Sequence, residues 1–345
     1  MNHDGNINSL NMHRGRKRSG NSFQILFPLL VAALTQLTLP VPSQAAGVDK
    51  GIMSVEFLYS IEYTSGKADK LREPMDLFFD RQKNELYIVD AASHKIFIYD
   101  DNGMFVQDIS LMGASGPPTM IAVDKAGDIY VGYASSPKIS HLNYKGTPIE
   151  DIDLPGILDA PGNTVKPMRL VSGVDGVVYA LKSSGGLVKL DPNNEAHEAI
   201  SISGDGQPNT IVGMGMDDAG RFLFTDMRPY SVVIFDPKQN NFKRFGSAGV
   251  LYGQIGRPAG VSADEAGHIF VLSGTLSKVS CFDKEGNFIE EFGKFGDKYG
   301  QFYMPTKIAS DGKNRLFVLE NALKRIQVFG IRFLKEEKPA SSPHT

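Results

Sequence analysis

Between Val55 and Phe329, apolar residues come in short runs broken by Asp, Gly, Asn and Pro. Ile121-Ala122-Val123, Ile129-Tyr130-Val131 and Ile139-Ser140-His141-Leu142 are of strand length, rich in β-branched and aromatic residues, and bounded by turn formers. No window of about a dozen residues in this region sustains the three-and-four apolar spacing of a long helix. The pattern therefore predicts strands joined by tight turns.

The runs repeat. Pro74, Pro118, Pro167, Pro208, Pro258 and Pro305 are 44, 49, 41, 50 and 47 residues apart. Six residues after four of them stands Asp80, Asp124, Asp264 or Asp311. Nine residues on comes Gly127, Gly176, Gly267 or Asn314, and twelve on Tyr130, Tyr179, Phe270 or Phe317. The first unit has one extra residue before Tyr87, and in the fourth, where Asp217 falls late, Ile211 takes the place of the proline. Four short antiparallel strands per period of roughly 47 residues describe a β-propeller blade. The first run, Val55 to Ile61, resembles the outer strand Asn287 to Phe292 that precedes the sixth proline, after which only three strands remain. The expected fold is all-β: a six-bladed β-propeller of four-stranded antiparallel blades over residues 46–334, closed by the N-terminal strand completing the last blade.

Outside the repeats lie two short segments. Arg14, Arg16, Lys17 and Arg18 precede an apolar run from Phe23 to Leu39 and the small residues Ser43 to Ala46, the order of a secretory signal peptide over residues 1–45. That run is short for a membrane span and interrupted by Gln24, Pro28, Thr35, Gln36 and Thr38, so cleavage is expected rather than stable insertion. Residues 335–345 read as a disordered polar tail. Export implies a periplasmic or extracellular location, and the protein is expected to be a monomer.

Composition narrows the chemistry. In a chain of 345 residues the formal charge is -3, and loss of residues 1–45 moves it to -6, because four basic residues and Asp4 leave. On that balance strong bulk attraction to nucleic acid or anionic lipid is not expected. The single Cys281 excludes an internal disulfide, a CxxCH haem attachment and a Cys-ligated iron–sulfur cluster, and is expected to be a buried thiol.

Phe292-Gly293-Lys294-Phe295-Gly296, Gly300 to Pro305 and Asn321 to Phe329 resemble the NHL-repeat propellers, and Ser93 to Asp100 and Gly253 to Pro258 echo the same pattern. The resemblance covers residues 55 to 330 and is degenerate in the third and fourth units. It implies the propeller fold more firmly than any activity. Among such propellers, lyases that cleave peptidyl-hydroxyglycine hold a metal through axial histidines, commonly just after the repeat proline. Here those positions are Met75, Thr119, Met168, Asn209, Ala259 and Thr306. Some cytoplasmic members bind RNA on a basic face, which an exported chain would rarely meet.

Catalytic templates are missing from the sequence. There is no HExxH, no GxSxG elbow and no Walker loop, and the histidines after the leader, His94, His141, His197, His268 and His344, are scattered. The Asp-Gly turns lack the alternating ligands and distal Glu of a calcium loop and read as hairpin turns. No metal or cofactor is assigned. Asp90, Asp226 and Glu320 are expected to cap loops.

What remains is one rim of the propeller. The strand-entry side carries Arg72, Lys166, Arg169, Arg228, Arg257, Lys278, Lys307, Lys324 and Arg325, while the opposite turns carry Asp100, Asp101, Asp124, Asp128, Asp217, Asp218, Asp264 and Glu265. Two residues past the proline, at the channel mouth, fall Asp76, Arg169 and Lys307. The candidate binding residues are thus Asp76, Arg169 and Lys307 with Arg72, Arg228 and Arg257, since guanidinium groups bind carboxylate and phosphate bidentately. The expected function is a non-enzymatic binding or scaffold module engaging a protein, a peptide or a small anion. The alternatives are a metal-dependent lyase or hydrolase with an axial site, and an accessory protein of an envelope electron-transfer complex.

Overall fold

A computed structural model describes residues 52–65, 69–154, 165–191 and 197–334. The signal segment and the C-terminal tail expected from the sequence lie outside the described residues. Those described form six four-stranded antiparallel sheets arranged as a β-propeller, with no α-helix among them and none long and apolar enough to cross a membrane.

Each blade starts at the axis and runs outward. Blade 1 comprises Pro74–Asp80, Glu85–Asp90, Lys95–Asp100 and Phe105–Ser110, and blade 2 Pro118–Val123, Ile129–Tyr133, Lys138–Leu142 and Pro148–Asp153. The inner strands of blades 3, 4, 5 and 6 are Pro167–Ser172, Ile211–Met216, Pro258–Ala263 and Lys307–Ser310. Second and third strands are buried almost throughout: Ile129–Tyr133 and Ile269–Ser273 are covered at every position, packed between adjacent blades. Continuous apolar burial is what a strand sandwiched on both faces requires, and it explains why these runs lack clean alternation.

Blade 6 closes the ring. Its order is Ile52–Ile61, Arg325–Leu334, Arg315–Glu320, Lys307–Ser310, so the N-terminal strand is its outermost member. The register runs from Ile52 opposite Leu334 to Ile61 opposite Ile326, slipping once between Phe57 and Tyr59. Tyr59 also donates its hydroxyl to the Asp101 carbonyl of blade 1 at 2.8 Å, tying the closing strand to the neighbouring blade.

One irregularity recurs. In blades 1 to 5 the inner strand slips register just after its first residue: between Pro74 and Asp76, Pro118 and Met120, Pro167 and Arg169, Ile211 and Gly213, and Pro258 and Gly260. A bulge re-aims the following side chain, and proline, which cannot donate to the ladder, suits the position before it. Ile211 stands where the other blades have proline, as the spacing of the fourth unit requires.

Candidate functional site: the central channel

The inner strands line an axial cavity of about 450 Å³. The residue after each of the five bulges and Lys307 of blade 6 take equivalent positions, Asp76, Met120, Arg169, Gly213, Gly260 and Lys307, and all but the core residue Met120 line the cavity. The wall is uneven. On blades 4 and 5, Gly213, Gly215 and Gly260 bring the two strands so close that a Cβ on Gly213 would lie 3.1 Å from the Gly260 Cα, and one on Gly215 2.8 Å from the Val261 carbonyl. That side of the channel is bare backbone, and the charge stands on blades 1, 3 and 6.

Lys307 Nζ lies 2.9 Å from Asp76 Oδ1, and Asp76 Oδ2 accepts the Ile121 backbone N–H at 3.3 Å. Asp76 therefore neutralises Lys307. Arg169 has a different environment: its Nε donates to the Val212 carbonyl at 2.9 Å, Nη2 to the same oxygen, and Nη1 to the Met168 carbonyl at 2.5 Å. Both carbonyls belong to bulge residues, freed from the ladder by the slip that aims Arg169 inward. Among the described residues no carboxylate lies within ion-pair distance of Arg169.

The electrostatics follow from this geometry. Burial lowers the Lys307 pKa, Asp76 opposes the shift, and the Arg169 charge adds to it. Burial likewise lowers that of Arg169, with Asp76 opposing. Two cations share one carboxylate in a partly dehydrated space, leaving one unit of positive charge uncompensated at the mouth.

Arg72, Arg228 and Arg257 lie outside this cluster. All three are exposed at the strand-entry rim, held by their backbone: Arg72 N–H donates to Asp90 at 2.7 Å, Arg228 N–H to Asp226 at 3.1 Å and Arg257 N–H to Thr275 Oγ1 at 3.2 Å. Their guanidinium groups have no partner among the described residues. Asp90, Asp226 and Glu320 are fully buried loop caps. Asp90 accepts three backbone N–H groups, from Arg72, Glu73 and Ser93, and Asp226 accepts those of Asn209, Thr210 and Arg228.

The division into a basic and an acidic rim needs correction. Lys278 pairs with Glu291 at 2.7 Å and Arg325 with Glu320 at 2.6 Å, and both cations are buried. On the other rim Arg221 pairs with Asp217 at 2.7 Å, and Arg315 lies 3.5 Å from Asp101. Cross-strand neighbours put opposite charges side by side, which a count of charges per loop does not register.

The turn-side end of the channel holds a residue that sequence reasoning missed. Arg81, in the turn after the inner strand of blade 1, donates to Asp218 of blade 4 at 2.8 Å and to the Ala263 carbonyl of blade 5 at 2.9 Å. Arg81 thus lies across the turn-side end of this axial cup, whose lining extends to Lys125, Val174 and Asp218. A second overlooked group, Asp124, Asp128 and His141, sits on the turn side of blade 2.

The fold and site define a six-bladed β-propeller with a cationic axial cup. No protein-family model matches the chain, and no curated protein matches it in sequence. Solved structures share the fold. A catalytically inactive virginiamycin B lyase from Staphylococcus aureus with quinupristin aligns at TM-score 0.56 over 81% of this chain and 99% of that one, with 12% identity. A gluconolactonase from Xanthomonas campestris gives 0.57 over 82% and 91%, with 13% identity. A Bacteroides thetaiotaomicron protein of unknown function gives 0.60 over 81% and 76%, with 12% identity. At these identities the likeness is one of fold, and it does not single out the NHL-repeat family among propellers.

Proposed function

We propose that this chain is an exported binding propeller whose axial cup receives an anionic group, a carboxylate or phosphate presented by a peptide, protein or small molecule. The observation that carries this reading is Arg169: a half-buried guanidinium fixed by two backbone carbonyls, aimed into the cavity and left without a carboxylate. A cation in that setting is already desolvated and oriented, so an incoming anion gains a charge-assisted contact without ordering a side chain. Lys307 stands beside it, and the exposed Arg72, Arg228 and Arg257 on the same rim would steer an anion toward the mouth. The basic, apolar and small-residue order of residues 14–46 supports export.

A lyase or hydrolase reading has propeller neighbours behind it. The mouth, however, gathers two cations and one carboxylate, a donor set that attracts anions and repels a metal ion.

The test is calorimetric titration of the purified protein with citrate, inorganic phosphate and an oligoglutamate peptide. Binding of at least one probe is expected, weakening with added salt and falling about tenfold or more in Arg169→Gln and in Lys307→Gln. If none of the three binds, or if both variants bind as tightly as the unsubstituted protein, the assignment of the cup fails.

A further inference from the structure

We infer that blade 2 contains a site for a divalent transition-metal ion, zinc by its donor set, held by Asp124, Asp128 and His141. One ligand atom of each lies within 4.8 Å of the other two. This inference is independent of the reading of the cup.

The local structure fixes each ligand. Asp124 follows the inner strand and closes the turn to the next: its backbone N–H donates to the Asp128 carbonyl at 3.0 Å, and its Oδ1 accepts the Asp128 N–H at 2.9 Å. The Tyr130 hydroxyl approaches its Oδ2 at 3.4 Å. Both carboxylates are thus positioned by one tight turn. His141 comes from the third strand, opposite Tyr130 in register, and its ring stacks on that of Tyr130 with centroids 4.4 Å apart.

The imidazole carries the argument. His141 is 2% exposed, and its Nε2 has no hydrogen-bond partner, yet it points at Asp128 with Oδ2 3.6 Å away. That is too far for a hydrogen bond and close for a lone pair facing a carboxylate. On the other side of the ring, Nδ1 lies 3.4 Å from Glu150 Oε1, directly across the ladder. A carboxylate on one ring nitrogen holds the proton there and leaves the other nitrogen as a ligand, the arrangement that orients a metal-bound histidine. One imidazole and two carboxylates suit zinc, with a fourth position open. Bonds of ~2.1 Å put tetrahedral ligand atoms roughly 3.4 Å apart, so the three need close by little more than an ångström at most.

Blade 5 supplies an internal comparison. The corresponding register positions there are Asp264, His268 and Cys281, with Glu290 opposite Cys281 as Glu150 is opposite His141. His268, however, is satisfied: Nδ1 lies 2.7 Å from Asp264 Oδ2, and the ring stacks on Phe333 at 3.7 Å. The scaffold is shared, and of these two histidines it is His141 that has a buried ring nitrogen with no partner.

The experiment uses the full chain, stripped with a chelator and titrated with zinc chloride, with cobalt(II) chloride as a spectroscopic probe. One equivalent of zinc is expected to bind, to raise the melting temperature and to be displaced by chelator, and cobalt is expected to give visible d–d absorption of tetrahedral type. Binding should weaken about a hundredfold in His141→Gln and in Asp128→Asn, about tenfold in Glu150→Gln, and stay unchanged in His268→Gln. Asp128 lies on a partly exposed turn, so its variant reports even if the His141 variant does not fold. No zinc binding, equal binding in Asp128→Asn, or loss of binding in His268→Gln overturns the site. Absence of binding together with a His141 ring protonated on both nitrogens by NMR would make the group an ion pair instead.

Discussion

Arg81 and Asp218 are 137 residues apart in sequence and in blades three apart on the ring, yet Nη1 and Oδ1 meet at 2.8 Å across the turn-side end of the channel. Both side chains are about one-third exposed, 33% and 36%. An ion pair so open to water contributes little to stability, at most about 1 kcal/mol. Its consequence is geometric: it ties blade 1 to blade 4 across the channel. Arg81→Ala is expected to cost less than ~1 kcal/mol in urea denaturation.

Asp76 sets how strongly the cup attracts an anion. Removing its charge leaves Arg169 and Lys307 uncompensated, so Asp76→Asn is expected to bind the anionic probe about tenfold tighter, a gain of ~1.4 kcal/mol. The substitution should also steepen the salt dependence. Lys307 then loses the partner that opposes its lowered pKa. A lysine with a lowered folded pKa binds fewer protons folded than unfolded, so its protonated form costs stability at neutral pH. That cost is relieved as pH rises through the depressed value toward 10.5. Unchanged or weaker anion binding in Asp76→Asn would count against the electrostatic account.

The repeat spacing made the six blades and their closure legible, because four of the six prolines open a bulged inner strand and the Asp-Gly pairs mark hairpins, both local demands of the backbone. Ile211 in place of proline was legible for the same reason. The channel mouth followed from the spacing: Asp76, Arg169 and Lys307 sit at one register position of three inner strands. What joins them was not legible. Arg169 is tethered by carbonyls that exist only because of a bulge, Arg81 meets a residue half the ring away, and Lys278 is neutralised by Glu291 across a strand ladder. The group around His141 escaped because its histidine was weighed against other histidines, whereas its neighbours are the carboxylates of the adjacent turn.

Closure rests on Ile52–Ile61. This strand covers the edge of Arg325–Leu334, buries Met53 and Ile61, and stacks Phe57 on Tyr299 at 5.0 Å. Deleting residues 52–61 bares the edge of the ten-residue strand Arg325–Leu334. The deletion variant is expected to elute as aggregate in size-exclusion chromatography, and a peptide spanning the strand, added during refolding, should restore monomer. A monomeric, cooperatively melting deletion variant would mean that the ring closes by another route.

Cys281 is fully buried, and burial first, then the nearby acidic groups, pushes its thiol well above the ordinary value. The nucleophile is the thiolate, so the native protein is expected to be inert to a disulfide reagent at mildly alkaline pH and to react with one equivalent in concentrated guanidinium. Rapid native labelling would place the thiol within reach of solvent.

Asp226 is the cap whose loss should be felt most in acid. Burial alone would raise its pKa, but the N–H groups of Asn209, Thr210 and Arg228 and the Arg244 guanidinium together hold it below 3.8. A carboxyl with a depressed folded pKa adds stability that is present above its unfolded value and is lost as pH falls through the folded one. The parent should therefore lose stability on acidification below about pH 4, and Asp226→Asn should lose less over the same range. At neutral pH the variant is expected to be less stable by about 2 kcal/mol, since Arg244 keeps its burial and loses its charge partner, Nη1 standing 2.8 Å from Oδ2 in the parent. Urea denaturation of both proteins across that pH range measures the difference. If the two stability curves run parallel in pH, the contribution of Asp226 is not electrostatic, and its role reduces to the shape of the loop it closes.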